Sequence, residues 1–398
     1  MARKRVIYQS EALYASPTAS ADDGCIGDHG FTNASTKPKQ VQRVQNANYS
    51  FSIERQDVNQ FGELAAIDRV ILSSPTVSLD FQYLLANFVN EVNLGFKMSA
   101  EVAGSFTWMS CITDILNKSK DEKCYYIRTA AEGLDLVGGP TAHPTTAGNA
   151  AQGVIGIGNG YITSYTTEGS IGNFPTVSIN VEALNMKVYS GNVSGDHIPA
   201  ITAADGAAIS ASNKDFKFVL PDAASDTGAD GTKVLRPGDL TFGFYKAADD
   251  GTNDSVWANS NDFGGTDMAI ANVALQSYNI SFDIGRTPLE KLGTRFAFSR
   301  EIDFPVTITM SLEATVGDLK EGGLSSAIDT DQAYNLYVYL KDTSDAVKAM
   351  YHLKRAKLDS QEFSSGIGDN KSVTLNFSAQ VGGPGQDHVG FFMSGISA

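Results

Sequence analysis

The chain has 398 residues, 42% of them hydrophobic, and carries 45 acidic against 30 basic side chains, a formal net charge of −15. That apolar share supplies real cores and excludes wholesale disorder, and the acidity excludes a protein that grips nucleic acid, because phosphate neutralisation needs clustered Lys and Arg. With 19% charged residues and 38 Gly against 12 Pro, the composition suits strands joined by Gly, Asn and Asp turns rather than long charged helices.

Along the chain, Arg3, Lys4 and Arg5 imitate the start of a signal peptide, but Val6-Ile-Tyr-Gln-Ser-Glu11 breaks off before an apolar core of signal length. No run of roughly 18 apolar residues occurs, so no membrane-spanning helix is expected. Residues 1–43 read as an N-terminal arm. The cysteines, Cys25, Cys111 and Cys124, are the opposite of a disulfide framework and are expected as buried thiols in a protein made in a reducing cytoplasm.

The organising feature is a duplication. Tyr49-Ser-Phe-Ser-Ile-Glu-Arg55 aligns without gaps on Ile280-Ser-Phe-Asp-Ile-Gly-Arg286, and at the same offset of 231 Gly62, Ala66 and Arg69 meet Gly293, Ala297 and Arg300. Pro75-Thr-Val-Ser-Leu-Asp-Phe81 answers Pro305-Val-Thr-Ile-Thr-Met310. Both alternate apolar and polar, the mark of a strand with one buried face. Further on, Ile171-Gly172 leading into Val177-Ser-Ile-Asn-Val181 answers Ile367-Gly368 leading into Val373-Thr-Leu-Asn-Phe377. Each is a glycine turn closing a hairpin, with its first strand at 161–165 or 357–361. Two matched blocks in the same order give copy one at 44–189 and copy two at 273–381.

Copy one is longer in its middle. The glycine-rich stretch Gly133–Gly160 reads as a long loop, and Gly153–Gly160 within it as a turn or hinge. A short helix is expected at Trp108–Lys118, with a weaker counterpart at Leu324–Gln332; strands are expected at Cys124–Thr129 and Tyr334–Leu340. Between the copies, 190–272 holds 12 Asp against 5 Lys and Arg and reads as an acidic insertion or small β-subdomain, with strand candidates at Phe216–Leu220 and Leu240–Tyr245. Residues 382–398 read as a C-terminal arm.

No catalytic constellation emerges. His29, His143, His197, His352 and His388 show no metal-ligand spacing, and no nucleophile elbow, phosphate loop or dinucleotide fingerprint is present. Asp222, Asp226 and Asp230, or Asp249, Asp250 and Asp254, lack the calcium-loop spacing and its closing Glu. Acidic pairs such as Asp359 with Glu362 are what any chain with this many carboxylates offers. The expectation is no catalysis, no metal and no cofactor. Arg55, Arg286, Arg69 and Arg300 stand as candidate inter-subunit anchors, or as strand-end residues pairing within their own copy. Gly62, Gly293, Gly172 and Gly368 stand as candidate turn glycines.

The repeated block resembles the tube domain of tail proteins from long-tailed bacteriophages. The resemblance rests on Pro75-Thr-Val-Ser-Leu-Asp-Phe81, Asn90-Glu-Val-Asn-Leu-Gly-Phe96, Arg286-Thr-Pro-Leu-Glu-Lys-Leu-Gly293 and Val6-Ile-Tyr-Gln-Ser-Glu-Ala-Leu-Tyr14. It implies a mainly β fold of two tandem β-sandwich or barrel-type domains, each with a short flanking helix. It further implies three-chain, pseudo-hexameric rings stacked into a tail tube, through which the tape-measure protein and then the genome pass. Tail terminator, baseplate and, in a contractile tail, sheath proteins are the implied partners, with no membrane. Alternatives are another virion protein such as a capsid decoration protein, the tube of a non-viral injection machine, a carbohydrate-binding tail adhesin, or a pore-forming barrel. The adhesin is disfavoured because the repeat is long and occurs twice, and the pore because no export signal is evident.

Overall fold

The computed structural model describes residues 11–16, 39–71, 75–102, 105–116, 121–129, 153–190, 235–246, 273–290, 292, 299–316, 333–341, 347–364, 371–386 and 389–395. Copy one supplies β1 (Glu11–Ala15), β2 (Lys39–Gln40), β3 (Val44–Ser52), β4 (Arg55–Val58), β5 (Asp68–Ile71), β6 (Thr76–Leu84), α1 (Val89–Leu94), β7 (Met98–Val102), β8 (Ser105–Thr107), β9 (Lys123–Thr129), β10 (Gly153–Ser170), β11 (Thr176–Ala183) and β12 (Asn185–Ser190). Copy two supplies β13 (Leu240–Lys246), β14 (Val273–Asp283), β15 (Arg286–Leu289), β16 (Ser299–Ile302), β17 (Thr307–Val316), β18 (Tyr334–Lys341), β19 (Val347–Ser364), β20 (Ser372–Gln380) and β21 (Gly390–Gly395). The fold is mainly β, as the composition and alternation imply.

The alternating strands of both copies form one antiparallel sheet of eight, in the order β3-β6-β11-β10-β14-β17-β20-β19. Each half is one copy, and the halves meet where β10 pairs with β14. Every second residue of the strands inside this sheet is buried, as Val77, Leu79, Phe81 and Tyr83 on β6 and Val373, Leu375 and Phe377 on β20, whereas edge strand β3 has no buried residue. A one-residue slip would turn that whole set to solvent, which pins the register.

Two outer sheets cover this apolar face. One runs β2-β1-β9-β10-β12, the other β13-β18-β19-β21-β7. β10 and β19 are long because each belongs to two sheets, crossing from an outer one to the eight-stranded one partway along. The crossing falls at the same place in both, where Asn159 and Arg355 adopt φ of 56° and 57°. Strands β9 and β18 are covered on both faces and so are buried almost without alternation, Lys123 and Arg128 of β9 included. The core is continuous through both copies.

The duplication reaches further than its sequence matches. β1 holds in copy one the place of β13, each pairing antiparallel with the equivalent strand, β9 or β18. β12 and β21 likewise flank β10 and β19. Residues 240–246, expected within the insertion, are therefore the first strand of copy two, and 11–15, expected within an arm, the first of copy one. The C-terminal stretch is no free arm: Phe391, Phe392 and Met393 of β21 are fully buried between β19 and β7.

Other expectations change for physical reasons. Gly153–Gly160 is the first half of β10, not a hinge; its glycines make room for neighbours, since a Cβ on Gly160 would lie 2.8 Å from the Tyr125 ring. Residues 111–116 form turns, and the helix of copy one is α1, ended by Gly95 at φ 101°. Cys124 is disulfide-bonded, whereas Cys111 is a buried free thiol. The stretches Leu324–Gln332 and Phe216–Leu220 and both Asp triplets lie outside the described residues.

Candidate functional site: a polar sheet face, a joint and two free edges

The face of the eight-stranded sheet turned away from the core is built from small polar residues. Neighbouring strands tie it together through Asn48–Asp80 (2.8 Å), Ser50–Ser78 (2.7 Å), Asn180–Ser164 (2.7 Å), Ser281–Thr309 (2.9 Å) and Asn376–Ser360 (2.8 Å). The strand segments forming this sheet carry the carboxylates Asp80, Glu168, Glu182, Asp283, Glu313, Asp359 and Glu362 and one cation, Lys357. Negative charge set in a Ser/Thr/Asn carpet with a single cation offers almost nothing to neutralise the phosphates of a polyanion and so release its counterions.

Where the copies meet, the joint has four layers. Seven residue pairs run from Ser164–Asp283 to Ser170–Ser277. On the core side Tyr165 stacks on Phe282 at 5.4 Å, and its hydroxyl meets that of Tyr351 at 2.8 Å. At one end Arg286 forks onto Asp121 at 2.6 and 2.7 Å, donates to the Ile162 carbonyl and lies over the Tyr161 ring. Burial pushes the Asp121 carboxyl up, and the Arg286 pair only partly offsets this. Beside it, Arg300 pairs with Glu182 at 2.6 Å. Finally β21 of copy two lies parallel to β7 of copy one, with Met393 opposite Met98.

The predicted arginines thus divide. Arg286 and Arg300 bridge from copy two into copy one within a single chain. Their counterparts do not: Arg55 is exposed, and the Arg69 side chain pairs with Asp57 of its own ribbon while staying 67% exposed. Gly62 and Gly172 have φ of 92° and 85° in their turns; Gly293 and Gly368 lie outside the described residues. Sequence reading missed Asp121, because its partner Arg286 stands 165 positions away.

The same contrast runs along the whole sheet. Phe282 is 2% exposed in the joint, but its equivalent Phe51 on free strand β3 is 40% exposed. Met393 is 0% exposed against β7, whereas Val188 at its place in β12 is 67% exposed. At the opposite end Thr167 is buried in the joint, and its equivalent Phe363 on β19 is 48% exposed. Among the described residues no strand pairs with the outer edge of β3 or of the end of β19, so one half of a joint is unfilled at each.

A buried polar cluster underlies the joint. Glu91 of α1 accepts from the Tyr83 hydroxyl at 2.7 Å and from Tyr165 at 3.3 Å, and burial pushes its carboxyl up to about 7. Among the described residues no group of His, Cys, Asp and Glu is arranged to hold a metal ion.

Three solved structures resemble the chain in part. They are the tail of an empty GTA particle (13% identity, 40% of this chain and 97% of that one, TM-score 0.25), the SPP1 tail tube (14%, 41% and 81%, 0.26) and the anti-feeding prophage baseplate (11%, 40% and 94%, 0.25). No family model and no curated protein matches the chain.

Proposed function

We propose that this protein is a structural component of a phage tail: three copies join head to tail into a pseudo-hexameric ring, and rings stack into the tube that delivers the genome into the host cell. The observation that carries this reading is one sheet made of two tandem units, with a nearly cation-free polar face and an unfilled half-joint at each end. Free edges flanked by exposed aromatic residues favour strand pairing, and a ring abolishes both at once. Because the two half-joints differ, the contact is heterologous, the kind that generates rings or filaments rather than two-fold dimers.

With strands about 4.8 Å apart and tilted by about 40°, three such sheets close into a barrel about 48 Å across between backbones, leaving room for a nucleic-acid duplex. The polar face then lines the lumen, and its carboxylates keep DNA unheld. In this role the protein works mechanically and electrostatically and catalyses no reaction. Its partners are itself, the tape-measure protein, the terminator and baseplate proteins at the tube ends and, in a contractile tail, a sheath. Electron microscopy of the purified protein tests this: hollow tubes of three-chain rings are expected, and a monodisperse monomer at high concentration overturns the reading.

A further inference from the structure

The in-chain joint is a template for the joint between chains, because the strands on its two sides recur with their irregularities in place. β3 and β14 pair with β6 and β17 in equivalent registers, each bulged at a glutamine, Gln45 or Gln276. β10 and β19 pair with β11 and β20 in equivalent registers, each bulged after Ile162 or Leu358. The Asn180–Ser164 hydrogen bond recurs as Asn376–Ser360. Both free edges are therefore already shaped as they are in the joint that is made.

Resting on the ring reading, we propose that the end of β19 in one chain adds to β3 of a second copy in the register of the internal joint. Ser360 then stands opposite Ser52, Gln361 opposite Phe51, Glu362 opposite Ser50, Phe363 opposite Tyr49 and Ser364 opposite Asn48. These are the places of Ser164–Asp283, Tyr165–Phe282, Thr166–Ser281, Thr167–Ile280 and Glu168–Asn279. The pairing covers Phe51 and Phe363, the two aromatic residues left half-exposed at the edges, and continues the polar face through Ser50, Ser52, Ser360 and Glu362.

The charge clasp does not carry over. In the place of Tyr161 stands Lys357 and in the place of Glu182 stands Ser378, as the strand registers align them. Arg69 of the second chain thus meets no acid at the place of Glu182. Main-chain ladder and aromatic burial hold the joint between chains, whereas the joint within the chain adds the Arg300–Glu182 clasp. Assembly by this edge is the reversible step, and the two copies of one chain stay together.

Paired cysteines in the full chain test the register. Directly opposed residues bring their Cβ atoms to about 5 Å, while a diagonal neighbour lies at about 7–8 Å, too far for a disulfide without backbone movement. S50C with E362C should close into covalent dimers and trimers on oxidation, and S50C with S360C should not. The in-chain pair T166C with S281C, at the same ladder place, is the positive control. Cross-linking of the diagonal pair in place of the opposed one overturns the register. Failure of both pairs in protein that still forms rings overturns the β19–β3 contact and leaves the ring reading standing. Failure of both in protein that stays monomeric by light scattering overturns the ring reading itself.

Discussion

Replacing Arg286 by Ala strands a carboxylate. Asp121 sits with 9% of its side chain exposed, and Arg286 supplies both of its close partners from a side chain 1% exposed. Removing one partner of a buried pair costs about 3–5 kcal/mol, because the survivor stays desolvated and uncompensated. The remaining exposure of Asp121 and its ability to take up a proton favour the low end, about 3 kcal/mol. The matched variant Arg55→Ala removes the equivalent residue where it is exposed, and should stay within about 0.5 kcal/mol of the parent. Urea unfolding followed by circular dichroism at pH 7.5, in dilute protein, measures both; the Arg286 variant should lose midpoint with little change in slope. The sign with pH is also fixed. Without Arg286 the folded-state pKa of Asp121 rises further above its unfolded value, so the variant's deficit is small in acid and grows as pH rises. Equal losses in the two variants, or a deficit that shrinks as pH rises, would refute the reasoning.

Four further outcomes are expected. Burial raises Glu91 from 4.5 to about 7, so its folded pKa exceeds its unfolded one and stability is lost as pH rises between them. Glu91→Gln should gain on the parent by about 3 kcal/mol between pH 4.5 and pH 8, read as the difference between two unfolding series, and a constant difference would contradict it. Gly160→Val, whose Cβ would meet the Tyr125 ring at 2.8 Å, should cost about 1–3 kcal/mol by overpacking; an unchanged midpoint would show that β10 yields there. Phe363→Asp should leave the unfolding midpoint of dilute protein near that of the parent while abolishing ring formation in sedimentation velocity, and rings of normal stability would count against the edge contact. Ring formation should also change little between about 0.05 and 0.5 M salt, because the chain-to-chain joint has Ser378 in the place of Glu182 and so lacks that arginine clasp; steep salt-induced dissociation would show that charge holds it.

The inner sheet was legible because one face of each strand is buried and the other wet, so its residues alternate and the two copies keep matching phases at Tyr49–Arg55 and Ile280–Arg286. Of the outer strands, β9, β18 and β13 were legible as short apolar runs, but the equivalences among the outer strands were not. β1 and β13 share no residue pattern beyond being short and apolar, and β12 and β21 are just as brief, so equivalences fixed by pairing leave no trace in the letters. Glycines at 153–160 suggested a turn because glycine marks turns more often than it marks a strand pressed under a tyrosine. The candidate arginines were visible as a repeated pair, yet their division into buried clasps and exposed counterparts depends on Asp121 and Glu182, which only the folded chain brings near them. The carboxylates of the polar face were countable in the sequence, but their common side follows from strand register.

A three-dimensional reconstruction of the assembled particle tests the central claim most directly. The account predicts three chains per ring around an inner barrel of 24 strands, three times the eight-stranded sheet, with Asp80, Glu168, Glu182, Asp283, Glu313 and Glu362 facing the lumen. Two-fold dimers, or rings with that face turned outward, would contradict it.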